Sequence, residues 1–129
     1  MDIEVRFSEL DPYGHLNHAV YATYFETARV IALREVDLDL VALATEGLQF
    51  VVTQLVLDYK RPAVANDVVT VTTEVGETRR ASTIWNQHMV RDEELLAAAT
   101  VRSAIIDNRG KPVRPPDWVF ERLALLVRG

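Results

Sequence analysis

A mainly antiparallel sheet built around one long helix, an α+β arrangement, is the fold class this chain predicts. Three features carry that expectation. Only one long stretch, from Asn17 to about Val36, has strong helical periodicity. One alternating segment precedes it and four β-rich segments follow it. Those four are joined mostly by hairpin-length turns, too short for the crossover helices that parallel strands require.

Taken in order, Ile3, Val5 and Phe7 alternate with Glu4, Arg6 and Ser8, which predicts a first strand over residues 3–8 with one face buried. Residues 9–17 break the pattern. Proline keeps Asp11 out of the helical region and Gly14 permits a positive φ, so this segment is a loop feeding a helix. Tyr21, Tyr24, Phe25, Ala28, Ile31 and Ala32 then recur every three or four residues, while Thr23, Glu26, Thr27 and Arg34 fall on other faces. They describe an amphipathic helix of roughly five turns, with Asn17 as its N-cap.

Residues 37–47 read as an irregular or short helical connection closed by Gly47. Residues 48–59, rich in valine, leucine and aromatics and stopped by Lys60-Arg61-Pro62, predict a long strand buried on both faces. After a turn at 62–67, strands are expected at 68–77, 82–91 and 95–107, with turns at Thr78-Arg79-Arg80 and Asp92-Glu93-Glu94 and a stop at Asn108-Arg109-Gly110. The alanine-rich centre of the last strand, Ala97 to Ala99, suits a helix by itself, but its valine and isoleucine flanks favour sheet. A coil over 111–116 leads to a short final helix capped by Asp117, with Val119, Phe120, Leu123 and Leu126 on one face.

The 129 residues fit one domain, 1–129, large enough for a core without metals or disulfides. There is no cysteine, so neither a disulfide framework nor a thiolate nucleophile is available. No apolar run approaches the ~20 residues that span a bilayer, and the first residues lack a leader pattern, so a cytoplasmic location and no membrane partner are expected. A net charge of -5 disfavours nucleic acid as a partner.

Chemistry concentrates between Asp11 and His18, where an acid, a proline, a glycine, two histidines and an asparagine precede a helix. Asp11 closes the turn through its side chain, or stands as a carboxylate beside the unpaired amides of the helix start, where acyl transfer needs both a base or nucleophile and donors for a developing oxyanion. Asp11, His15 and His18 match no specific metal spacing and His88 lies far along the chain, so no metal is expected. Glu26 is most simply an i,i+3 ion-pair partner of Arg29. The basic pairs Lys60-Arg61 and Arg79-Arg80 are solvated turns or holders of ligand phosphates.

Asp11-Pro12-Tyr13-Gly14-His15-Leu16-Asn17, followed by Tyr21, Tyr24, Phe25, Glu26, Ala28 and Arg29, resembles the signature of the hotdog-fold acyl-CoA thioesterases of the 4-hydroxybenzoyl-CoA thioesterase type. The resemblance implies a curved five-stranded antiparallel sheet wrapped around the long central helix. It also implies subunits paired into a homodimer or homotetramer with sites between them, and no metal or redox cofactor, the CoA thioester being the substrate. Asp11 then takes the place of the catalytic aspartate, nucleophile or general base, and Gly14 that of the turn glycine. The backbone amide of His18 becomes the oxyanion donor, and His15 and Asn17 shape the loop. Phe50, Val52, Thr53 and Gln54 of a partner are expected opposite Asp11, Arg61, Arg79 and Arg80 are candidates for the CoA phosphates, and Tyr13, Tyr21, Tyr24 and Phe25 line an acyl or aryl pocket or, as aromatics at helical spacing, belong to the core. Two other functions fit the same fold: a dehydratase or hydratase acting on a hydroxyacyl thioester, and a non-catalytic acyl-CoA-binding module.

Overall fold

The computed structural model describes residues 1–127. Its elements are β1 (Asp2–Glu4), a single 3-10 turn (Phe7–Glu9), α1 (His18–Glu35), α2 (Leu40–Thr45), β2 (Gln49–Tyr59), β3 (Val68–Arg79), β4 (Ser82–Arg91), β5 (Glu94–Ile106) and α3 (Asp117–Ala124). The strands form one antiparallel sheet in the order β1-β3-β4-β5-β2, which curls about α1. This is the expected hotdog arrangement. It follows from the sequence because a helix carrying one apolar stripe must bury it against the apolar face of the only sheet present.

That stripe is Tyr21, Tyr24, Phe25, Ala28, Ala32 and Leu33, all buried. It meets Val69, Val71 and Val75 of β3, Trp85 and Met89 of β4, and Leu96, Val101 and Ile105 of β5. Each such side chain stabilises the fold by roughly 1.5–3 kcal/mol relative to exposure. Asn17 caps α1 as expected, its Oδ1 accepting from Ala19 N–H at 3.0 Å. The connection after α1 is the short helix α2, capped by Asp39 and followed by Gly47 at φ 81°. The β4–β5 turn narrows to Asp92 and Glu93, both at positive φ, the combination that a two-residue type I′ hairpin requires.

Five expectations need correction. The first strand is only Asp2–Glu4, because Glu9 accepts from Arg6 N–H at 3.0 Å and curls the next residues into the 3-10 turn, leaving Phe7 exposed. The long strand β2 is not buried on both faces. It is the free edge of the sheet, paired only with β5, and it exposes Val52, Leu55, Val56 and Tyr59. The β3–β4 turn is Arg80-Ala81, with Arg79 still in β3. Asp117 is the first residue of α3 rather than its cap, which is Pro116, and it pairs with Arg114 at 3.0 Å. Finally, Arg29 makes no direct salt bridge with Glu26 among the described residues, although that carboxylate still acts on it through space: the Arg29 guanidinium reaches across to the sheet and donates to buried Gln87 Oε1 at 2.8 Å.

Periodicity also meets a local irregularity in β2. Phe50 and Val52 pair with Ile105 and Ser103, whereas Leu55 and Leu57 pair with Val101 and Ala99. The register shift around Thr53 inserts one residue, so apolar side chains stay on the α1 side of the sheet before and after it.

Candidate active site

The segment before α1 is a closed loop. Leu10 and Leu16 bridge its base, Asp11 N–H donates to His15 C=O at 2.7 Å, and Gly14 N–H donates to Asp11 C=O at 3.1 Å. Gly14 sits at φ 78°, in the left-handed region that closes so tight a loop, and a Cβ there would meet nothing within 4 Å. Gly14→Ala therefore isolates the backbone term. It is expected to destabilise the protein by about 1–2 kcal/mol, measured by urea denaturation, and an unchanged midpoint would show that the left-handed turn is not required.

The Asp11 carboxylate is asymmetric. Oδ1 accepts from the backbone N–H groups of Tyr13 at 2.9 Å and His15 at 3.1 Å, fixing the side chain to its own loop. Oδ2 has no hydrogen-bond partner among the described residues. Nearby, the first amide of α1 is open. Ala19 N–H is taken by the Asn17 side chain and Val20 N–H by Asn17 C=O at 2.9 Å, but His18 N–H has no acceptor among the described residues. It is also the amide where the positive end of the helix dipole emerges.

The loop is held against the segment that follows β2. Leu16 N–H donates to Ala63 C=O at 2.7 Å, His15 bridges Val64, and Ala63 N–H donates to the Tyr21 hydroxyl at 3.1 Å. Tyr59, the last residue of β2, packs edge-on against the Tyr21 ring with centroids 5.0 Å apart and donates to His18 C=O at 2.8 Å. Together these enclose an open depression of about 320 Å3, lined by Asp11, His15, Leu16, His18, Tyr21, Tyr59, Lys60, Arg61 and Pro62.

Of the residues expected at the site, Asp11, His15, His18, Tyr21 and Arg61 therefore converge, with Gly14 and Asn17 shaping their backbone. Tyr24 and Phe25 do not line the depression: both are buried in the core, and the Tyr24 hydroxyl donates to Glu9. Phe50 and Val52 line a separate, mainly apolar cavity of about 200 Å3 with Glu26, Arg29, Val30, Leu33 and Trp85 among its other walls. Thr53 and Gln54 lie on the free edge, with Thr53 Oγ1 donating to Arg102 C=O at 3.2 Å. Arg79 and Arg80 sit at the opposite end of β4 from Pro62, to whose carbonyl Arg91 donates, so roughly 30 Å of strand separates them from Asp11 within one chain. Tyr59 was not expected as a site residue, and Lys60 only as half of a basic pair that turns in solvent or holds ligand phosphates. The signal for them is only that a strand ended there; which loop that end meets is a long-range property. Among the described residues, no three or more His, Cys, Asp or Glu side chains come together as a metal site.

A family model described as the thioesterase-like superfamily matches residues 5–123. The chain belongs to that superfamily. An acyl-CoA thioesterase, YbgC, of Haemophilus influenzae is 35% identical over 119 residues, covering 91% of this chain and 88% of the relative. Among solved structures, the hypothetical protein TT1821 from Thermus thermophilus superposes with a TM-score of 0.91 at 30% identity, over 98% of this chain and 97% of that one. Another Thermus thermophilus protein, a thioesterase complexed with coenzyme A and zinc, superposes with a TM-score of 0.84 at 29% identity, over 98% and 92% of the two chains. This member of the thioesterase-like superfamily is thus a thioester hydrolase by family, as its Asp11–Arg29 motif implied. None of its helices among the described residues is long and apolar enough to cross a membrane.

Proposed function

We propose that this thioesterase-like protein hydrolyses an acyl-CoA thioester to the free acid and CoA. The observation that carries the reading is the pairing of one free carboxylate oxygen, Asp11 Oδ2, with one open backbone donor, His18 N–H, in a single depression. In this reaction Asp11 attacks the thioester carbonyl, or takes a proton from the water that does. Either way the carbonyl oxygen gains negative charge as the C–S bond weakens, and the His18 amide at the positive end of α1 stabilises it. The thiolate of CoA leaves and takes up a proton. If Asp11 is the nucleophile, water then hydrolyses the acyl anhydride; label found in Asp11 after a single turnover in 18O-labelled water marks that route, with water attacking the Asp11 carbon of the anhydride. Likeness to YbgC and to the CoA-complexed thioesterase supports CoA as the thiol partner. Free-thiol release over a panel of aliphatic, branched and aromatic CoA thioesters tests the activity. With a 3-hydroxyacyl-CoA added to the panel, an enoyl product instead of free thiol would establish a dehydratase, and tight binding with no turnover across the panel a binding module.

The working unit on this reading is a pair of subunits joined along β2. Antiparallel pairing of two β2 edges about a two-fold axis runs the Gln49 end of one strand beside the Tyr59 end of the other, so that the partner's Phe50, Val52, Thr53 and Gln54 approach Asp11. It also carries toward Asp11 the end of the partner's sheet that bears Arg79 and Arg80. Arg79 there shares a small polar pocket with Ser82 and Arg102, and it already pairs with exposed Glu77 at 2.7 Å. A water-exposed pair of this kind is weak enough to yield to a phosphate. The expected result for Arg79→Ala with Arg80→Ala is a higher KM for acyl-CoA at nearly unchanged kcat, with a smaller change for a pantetheine thioester that lacks the nucleotide phosphates. Unchanged KM for both substrates removes these arginines from phosphate binding and leaves Lys60 and Arg61, at the depression itself.

A further inference from the structure

Glu9 lies two residues before Asp11, outside the depression, yet it accepts three hydrogen bonds. Its Oε1 accepts from the Tyr24 hydroxyl at 2.6 Å and from Arg6 N–H at 3.0 Å, and its carbonyl accepts from Asn17 N–H at 2.9 Å. Tyr24 belongs to the second turn of α1 and is buried, so its hydroxyl has a fixed origin. The Glu9 side chain is itself only 15% exposed, with the Arg6 guanidinium 3.6 Å from the same oxygen. Burial favours the neutral form of Glu9, but the hydrogen bonds from Tyr24 and Arg6 outweigh it and hold the carboxyl below its ordinary value. Burial and the Glu9 carboxylate push the Tyr24 phenol up, so it remains a donor.

The two groups assigned to the chemistry lie on different pieces of backbone. Asp11 Oδ2 belongs to the loop, and His18 N–H belongs to the helix. Within the loop, Asp11 is fixed to Tyr13, Gly14 and His15, but those bonds move with it as a unit. What relates that unit to the helix is its base: the Glu9–Asn17 bond, the Leu10–Leu16 bridge and the Tyr24–Glu9 bond. The Tyr24–Glu9 bond is the direct side-chain tie from the body of α1 to that base; the Tyr21 hydroxyl reaches the loop only through Ala63, whose N–H donates to it and whose C=O accepts from Leu16 N–H. We propose that Tyr24 and Glu9 are positioning residues, a clamp that sets the Asp11 carboxylate relative to the His18 amide. This rests on the assignment of Asp11 and His18 to the reaction. It also gives Tyr24, which the motif offers as a pocket residue, a task that its burial and its bond to Glu9 match.

Steady-state kinetics of the full chain, with amide hydrogen exchange on the same variants, test the clamp. Tyr24→Phe keeps the buried ring and removes only the bond. It is expected to lower kcat roughly 10- to 100-fold, the scale of a displacement near 1 Å at a reacting centre, with KM little changed. Glu9→Ala should do the same, and Glu9→Gln, which keeps an acceptor oxygen, should recover most of the loss. Because the clamp acts through Asp11, Tyr24→Phe should add almost nothing in an Asp11→Asn background. The amide of Asn17, which donates to Glu9 C=O at the loop's base, should exchange faster in Tyr24→Phe, while those in the middle of α1 stay protected. Wild-type kcat in Tyr24→Phe, or a loss that is undiminished in the Asp11→Asn background, overturns the proposal. If Asp11→Asn itself turns over normally, the catalytic assignment fails instead, and the exchange at Asn17 still decides whether the clamp exists. Should Tyr24→Phe not fold, the Glu9→Ala and Glu9→Gln pair carries the same decision.

Discussion

Replacing Asp11 by Asn is expected to leave the fold intact and to lower kcat by roughly 10²- to 10⁴-fold, the range a positioned base or nucleophile contributes. The fold should survive because the Asp11 bonds that matter structurally are those its Oδ1 accepts from Tyr13 and His15 N–H, and an asparagine Oδ1 accepts the same two. The chemistry should not survive, because the atom replaced by an amide nitrogen is Oδ2, the oxygen that has no partner in the loop. An amide nitrogen neither attacks the thioester carbonyl nor accepts a proton from water. Denaturation midpoints and free-thiol release, measured on one preparation, separate the two effects. An Asp11→Asn protein with near-normal turnover on its best acyl-CoA would sink the assignment, whereas one that unfolds would show that the carboxylate charge is needed for the loop.

The second large effect is expected at the sheet edge. β2 pairs along one side only, and Val52, Leu55, Val56 and Tyr59 on it are 52%, 41%, 46% and 48% exposed, an apolar strip on an open edge of the kind that recruits another strand. Leu55 faces α1, opposite Val101, near the middle of the strand. Leu55→Lys puts a charge there while leaving the β2–β5 ladder untouched. A well-packed interface residue contributes about 2 kcal/mol or more, and in a two-fold interface each substitution is present twice. The dissociation constant of the proposed β2-paired dimer should therefore rise by about 10³-fold. Sedimentation at micromolar concentration should show a monomer, and activity should fall with it if residues of the partner complete the site. An active monomer would place the whole site within one chain; an unperturbed dimer would place the interface elsewhere.

Much of this architecture was legible in local patterns. Helical spacing from Tyr21 to Ala32 located α1, Asn17 announced its start, and alternation together with β-rich runs between turn signals located four of the five strands to within a few residues. The Asp-Pro and Gly14 signals located the loop, and its acid lines the same depression as His18, whose amide is open. Where local patterns misled, the cause was a longer-range bond. Alternation through Phe7 suggests a strand, but the Glu9 carboxylate, fixed by Tyr24, folds that segment back onto Arg6. A valine- and leucine-rich run suggests a central strand, but whether such a run is buried depends on what lies beside it, and β2 has a neighbour on one side only.

What the amino-acid order determined by itself, then, is the sequence of elements and the loop that carries the carboxylate, because periodicity, capping and turn chemistry act between residues a few positions apart. The tertiary structure alone decided the company that carboxylate keeps. It brought Tyr59, Lys60 and Arg61 to Asp11, took Tyr24 away from the depression and tied it to Glu9, and put Arg79 and Arg80 at the far end of the sheet. Those neighbours come from segments tens of residues apart, joined by a strand register and by the burial of one helix stripe, which exist only once the whole sheet has closed on α1.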